Sequence, residues 1–194
     1  MKKLSVVCCM MMLAALVAFG GPFLQCPPVG NDTLGCELLV TVAAVDGTGA
    51  ATSFSVATAS PDQGPYDGVE DTLIGLVNSS ASTLNAISFS GMAGGIPIFG
   101  FDGDGACAAI ACVGGDSTGY GGPGVTFSGI SLNQASGTVN FTGGLANGAS
   151  AWFSLEGPIT AAVLSGVPEP GSLALLGMGL VTLLGGTRLR RFRK

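Results

Sequence analysis

From residue 36 to residue 156 apolar and polar positions alternate with a period of two, in short runs bounded by Gly, Asn, Ser and Pro. That pattern is the signature of strands with one buried face. The runs lie near 37–45 (ELLVTVAAV), 52–59 (TSFSVATA), 70–77 (EDTLIGLV), 84–90 (LNAISFS), 96–101 (IPIFGF), 125–131 (VTFSGIS), 136–142 (SGTVNFT) and 150–156 (SAWFSLE). In the later runs Ile87 with Phe89, Val139 with Phe141, and Ala151 with Phe153 and Leu155 share one face, while Ser88, Asn140 and Ser154 point the other way. No apolar stripe of helical period interrupts them. Two sheets packed face to face bury such faces, so the pattern predicts an all-β fold, a single β-sandwich of about eight short antiparallel strands over 36–165, with 21–35 as an N-terminal extension. No fixed-period repeat is present, which argues against a solenoid or propeller.

Two longer apolar runs break the alternation, one at each end. Leu4 to Phe19 is apolar apart from Ser5 and follows Lys2 and Lys3 directly, the layout of a signal peptide over 1–20. Ala18 and Gly20 provide the small residues a signal peptidase accommodates, so cleavage is expected after Gly20. Phe23, Leu24 and Gln25 are too bulky to make Cys26 a lipidation site. The second run, Gly171 to Thr187, has 17 residues without a charge. It predicts a transmembrane helix at about 172–187, stopped by the basic tail Arg188, Arg190, Arg191, Arg193 and Lys194. Positive charge stays on the cytoplasmic side, so a precursor held in the inner membrane would keep both tips in the cytoplasm and translocate the middle.

Charge sharpens this picture. Only 10% of the chain is charged, against roughly 25% in ordinary soluble domains. All 7 basic residues sit at the ends and all 12 acidic ones lie between them. A body without a cation is repelled by phosphate backbones, which excludes nucleic-acid binding. The chain contains no histidine, which removes Ser-His-Asp and Cys-His nucleophile systems and histidine-ligated zinc. Glu70 with Asp71, and Asp102 with Asp104, are the carboxylate pairs a glycan hydrolase would need. Neighbouring acids on a strand point to opposite faces, however, and no cation is present to stabilise a developing anion. The expectation is a protein that is not an enzyme.

Val167, Pro168, Glu169 and Pro170, the short glycine-containing apolar helix and the terminal arginine cluster together resemble the PEP-CTERM sorting signal, over 167–194. The resemblance implies that Pro168, Glu169 and Pro170 are recognised by a membrane-embedded processing protease of the exosortase type, with the helix as the membrane part and the basic cluster as the stop. It implies a Gram-negative bacterium that makes exopolysaccharide. Two prolines fix φ and remove two amide donors, so the tripeptide stays extended and open to a protease. The same tail also ends some ice-binding proteins, although the signal itself says nothing about ice. PYDGVEDTLIGLVNSS, IFGFDGDGAC, YGGPGVTFSGI, GTVNFTGGL and AWFSLEGP resemble a group of exported bacterial domains that often carry this tail, and no activity follows from that.

Four cysteines remain after export: Cys26, Cys36, Cys107 and Cys112. An exported chain predicts two disulfides from them. Three pairings are open, and proximity favours Cys26 with Cys36 and Cys107 with Cys112. A zinc site of four cysteines would need closer knuckle spacing than CPPVGNDTLGC and CAAIAC offer. Asp102-Gly103-Asp104-Gly105 is a fragment of a calcium loop, since two carboxylates one glycine apart can turn toward one hard cation. Asp116, or Asp67, Glu70 and Asp71 from another loop, would complete it. The alternative is a turn in which aspartate bonds its own backbone. Trp152 falls on the polar face of its strand, as a sugar-stacking aromatic or as rim packing.

The expectation as a whole is an exported cell-envelope or matrix protein, processed by signal peptidase and an exosortase, with a structural or adhesive role linked to exopolysaccharide and biofilm. A carbohydrate-binding module, calcium-assisted, is the alternative; a glycan hydrolase or an ice-binding protein ranks below it.

Overall fold

In a computed structural model, which describes residues 21–165, the alternating runs become strands. The signal peptide at 1–20, the tripeptide Pro168–Pro170, the helix at about 172–187 and the basic tail lie outside the described residues. In chain order the strands are β1 Leu38–Val45, β2 Ala51–Thr58, β3 Thr72–Asn78, β4 Leu84–Ser90, β5 Met92–Ala93, β6 Ile96–Pro97, β7 Val125–Ser128, β8 Ser136–Leu145 and β9 Ser150–Leu155. They form a four-stranded sheet ordered β2-β1-β3-β9, a three-stranded sheet ordered β4-β8-β7, and the small pair β5-β6. Leu38, Val40 and Val42 from β1, Ile74 and Leu76 from β3, and Phe153 and Leu155 from β9 meet Ile87 and Phe89 from β4 and Val139 and Phe141 from β8 in one core. Each such fully buried side chain contributes about 1.5–3 kcal/mol relative to exposure.

The structure corrects the expectation in four places. The strands are not all antiparallel: β1 and β3 pair in parallel, Leu38 opposite Ile74, because the β2 hairpin occupies one side of β1 and the chain crosses over to the other before returning. The run at 96–101 is a strand only at Ile96–Pro97. Ile98 and Phe99 still enter the core, but the Phe99 amide donates to the Gln134 carbonyl outside any strand pair. The run at 125–131 ends at Ser128, where Gly129 takes a left-handed φ of 61°. Two short helices also appear, α1 at Ala106–Ile110 and α2 at Ala161–Leu164. Neither is long enough to leave a periodic stripe in the sequence.

The outer face of the four-stranded sheet is also covered. Cys26, Val29, Cys36, Tyr66, Leu73 and Ala106 form a second buried cluster, with Phe23 and Trp152 at its margin. Ser154 therefore faces away from the main core, as its parity requires, yet is fully buried, and its Oγ accepts a hydrogen bond from the Ala106 amide at 3.0 Å. Gly75 makes room for this layer, since a Cβ there would strike the Cys36 sulfur.

Two disulfides, Cys26–Cys36 and Cys107–Cys112, close loops with Cα–Cα separations of 5.0 and 5.1 Å, the pairing that proximity favours. The first staples residues 26–36 onto the sheet. Replacing Cys26 and Cys36 by serine is expected to lower stability by about 3 kcal/mol, and replacing Cys107 and Cys112 by about 2 kcal/mol because that loop is shorter. Urea denaturation of the oxidised protein checks this, and an inverted ranking would refute the loop-length account.

Candidate functional site

Register builds the site. Thr72 of β3 pairs with Leu155 of β9 in antiparallel sense, so the next residue on each strand, Asp71 and Glu156, stand side by side at one end of the sheet. By alternation both share the outer face with Leu73 and Ser154. Asp71 is 1% exposed and Glu156 4%. The loop ahead of α1 brings in a third carboxylate, Asp104, at the exposed rim. One oxygen from each of Asp71, Asp104 and Glu156 lies within 4.8 Å of the others.

The loops that deliver these groups are pinned to β9 and to each other. The Ser154 amide donates to the Tyr120 carbonyl at 2.9 Å, and the Cys107 amide to the Gly119 carbonyl at 2.8 Å. The Tyr120 ring stacks on Phe101 with centroids 4.5 Å apart, which aims its hydroxyl into the cluster.

That hydroxyl has one hydrogen and three carboxylates around it: Glu156 Oε1 in close contact, Asp104 Oδ1 at 2.8 Å and Asp102 Oδ1 at 3.1 Å. It can donate to only one of them. The remaining oxygens face one another lone pair to lone pair unless a proton or a cation lies between them. Tyr66 donates its hydroxyl to Asp71 Oδ2 at 2.6 Å, while Asp71 Oδ1 is buried without a hydrogen-bond partner. The Asp102 amide donates to Glu156 Oε1 at 3.2 Å.

Electrostatics follow from this crowding. Burial pushes the Asp71 carboxyl up to about 7, against the Tyr66 hydrogen bond, and the charges of Glu156, Asp104 and Asp67 add to the rise. Burial likewise raises Glu156. Asp104 is raised and Asp102 lowered chiefly by the hydrogen bond they share. Both tyrosines lie well above the usual phenol range, first through burial, so they stay protonated donors. The site offers only oxygen, and mostly anionic oxygen, which matches a hard divalent cation such as calcium and not a thiolate or imidazole metal.

Of the residues expected here from sequence, Asp104 and Asp71 converge and Asp102 joins them through Tyr120. Asp116 does not: its Oδ1 accepts from Thr118 Oγ1 at 2.8 Å and from the Gly121 amide at 3.1 Å, closing its own loop. Asp67 is similarly occupied, accepting from the amides of Val69, Glu70 and Asp71. Trp152 packs its ring over Gly122, where a Cβ would come within 2.9 Å of the indole. Sequence reasoning missed Glu156, Tyr120 and Tyr66. Glu156 was legible only to a reader who already knew that β9 pairs with β3.

Residues 166–194 match the PEP-CTERM protein-sorting motif. No curated protein and no solved structure matches the chain.

Proposed function

We propose, from the premise that the chain carries a PEP-CTERM protein-sorting motif and is exported as a substrate of an exosortase, that its β domain is a calcium-stabilised structural or adhesive element of the cell surface and not an enzyme. The observation that carries this reading is the sorting motif placed behind a body, residues 21–165, that holds all of the 12 acidic residues but Glu169 and no basic one. Asp71, Asp104 and Glu156, with Asp102 and Tyr120 at the rim, would hold the cation; calcium there would neutralise carboxylates that no side chain of the domain can neutralise. An acidic surface carrying divalent cations suits the exopolysaccharide matrix of a Gram-negative envelope, where the cation can link the protein to anionic sugars. The absence of histidine from the sequence, and of any basic side chain from the described residues, supports a role without catalysis.

The precursor, in this reading, sits in the inner membrane until the protease removes its tail. Substituting Pro168→Ala, Glu169→Gln and Pro170→Ala together, or deleting the protease, is expected to leave a membrane-bound precursor and to abolish most release of the soluble form. Immunoblots of membrane and medium fractions, with the intact mass of the released protein, check this. Equal release from wild-type and protease-deficient cells would overturn the sorting role.

A further inference from the structure

A cavity of about 270 Å³ opens beside α1, and none of Asp71, Asp104 and Glu156 lines it. Its wall is built from Gly103 ahead of α1, Cys107 and Ala108 on α1, Cys112, and the loop from Gly115 to Gly119. Several fastenings fix its shape. The Cys107–Cys112 disulfide ties α1 to the chain that follows it, and the Gly119 carbonyl accepts from the Cys107 and Ala108 amides at 2.8 and 3.2 Å. Gly119, at a φ of 84°, approaches so closely that a Cβ there would lie 2.9 Å from the Ala108 methyl. On the loop, Asp116 Oδ1 accepts from Thr118 Oγ1 at 2.8 Å and from the Gly121 amide at 3.1 Å, while the Tyr120 amide donates to Thr118 Oγ1 at 3.2 Å.

This wall keeps hydrogen-bonding capacity that the protein does not use. Among the described residues, Asp116 Oδ2, the Ser117 hydroxyl and the amides of Gly115, Ser117 and Thr118 have no hydrogen-bond partner. An anionic ligand is repelled by Asp116 and by Asp102 and Asp104 on either side of Gly103, with no Lys, Arg or His among the described residues to offset them. An apolar ligand would strand the polar groups. An ammonium brings donors only and leaves the three amides unanswered. A neutral polyol meets both needs, because each hydroxyl donates to a carboxylate oxygen and accepts from an amide. The rim adds apolar surface: Ile110, 40% exposed, ends α1, and Val113, 92% exposed, stands between the lining residues Cys112 and Gly115. Such side chains suit the C–H face of a sugar ring. The volume falls just below the roughly 300–1,000 Å³ of sites for drug-sized ligands, which leaves room for one ring.

We propose that this cavity binds one neutral hexose residue of a glycan, with Asp116 Oδ2 as acceptor and the Gly115, Ser117 and Thr118 amides as donors. The inference rests on the adhesive reading above and names its ligand class. It needs no cation, so it and the calcium reading can fail separately.

The test uses the released, oxidised protein labelled with nitrogen-15, titrated with D-glucose, D-galactose or D-mannose to about 100 mM while its amide spectrum is followed. At least one hexose is expected to shift the Gly115, Ser117 and Gly119 signals along a saturating curve, with Kd on the order of 1–10 mM. Ala108→Leu fills the cavity from an exposed position of α1 with a good helix former, and is expected to abolish those shifts. Asp116→Asn keeps the Oδ1 acceptor for Thr118 and Gly121 but turns the free oxygen into a donor, and is expected to weaken binding about tenfold. Shifts that persist in Ala108→Leu, that arise only with glucosamine or glucuronate, or that no hexose produces overturn the site. Should Ala108→Leu not fold, Asp116→Asn decides: weaker binding supports the cavity and an unchanged Kd refutes it. Titration in chelator separates the two readings. Hexose shifts retained without calcium support the cavity even where the protein binds no calcium, and shifts lost with the calcium place the sugar on the cation and overturn it.

Discussion

In buffer free of divalent cations the released protein is expected to melt on the order of 10 °C lower at pH 8 than at pH 5, and millimolar calcium is expected to restore most of the difference at pH 8. The sign follows from the carboxyls that folding raises. Asp32 and Asp71 move from 3.8 to about 7, and Glu37 from 4.5 to about 8. The folded state therefore holds protons that the unfolded chain has released. Stability from these groups is fully present below about pH 4 and is lost as pH rises through 7 to 8. The groups that face them are all acidic: Asp62 and Asp32 toward Glu37, Asp62 toward Asp32, and Glu156, Asp104 and Asp67 toward Asp71. Asp46 acts in the opposite sense, because hydrogen bonds from Thr48 and the Ala50 amide lower it. Its contribution, and that of Asp102, disappears only on acidification below the ordinary carboxylate range, which is why pH 5 is the reference. Calcium binds the ionised carboxylates, so it stabilises where the protons have left, by about 2.7 kcal/mol per site at a hundred times Kd. Calorimetric melts across pH 5 to 8, with and without chelator, decide the matter. A melting point that stays level over that range, or rises with pH in chelator, would remove the physical basis of the cation site at Asp71, Asp104 and Glu156.

Phe153→Ala is expected to cost about 3–5 kcal/mol. Phe153 is fully buried on β9 and reaches across to the opposite sheet, with its ring centroid 6.2 Å from that of Phe89 on β4 and 6.3 Å from that of Phe127 on β7. Truncation leaves a cavity between the sheets and deletes two aromatic contacts at once. Trp152→Ala, one residue away on the other face, is the control: the indole is half-buried beside the second cluster, so its loss should cost clearly less. Urea denaturation measures both. A loss below about 1 kcal/mol for Phe153→Ala would mean that the two sheets do not depend on this contact.

The sequence made much of this architecture readable, and the limits have physical causes. Ile87, Phe89, Val139, Phe141, Phe153 and Leu155 could be assigned to the core because a period of two depends on local geometry alone. The cysteine pairing was favoured by separation along the chain. The parallel β1–β3 pair was hidden because strand direction depends on the route of a connection, and connections leave little trace in an apolar pattern. Ser154 shows the same limit for burial: its face was legible, but the second layer of Cys26, Cys36, Tyr66 and Ala106 that covers it comes from distant segments. For the candidate centre, Asp102 and Asp104 stood out as neighbours in sequence. Asp71 meets Glu156 only through the register of two strands far apart along the chain, and the orphaned oxygens of Asp32 and Glu37 follow from packing no local pattern records.

The confinement of every basic side chain to the two tips has one more consequence. Proteases of the trypsin class need lysine or arginine to fill their specificity pocket, and from residue 4 to residue 187 there is none. Such enzymes have no peptide bond to attack in this domain even when it is fully unravelled, so its survival among them outside the cell is a property of composition and needs no folding stability at all.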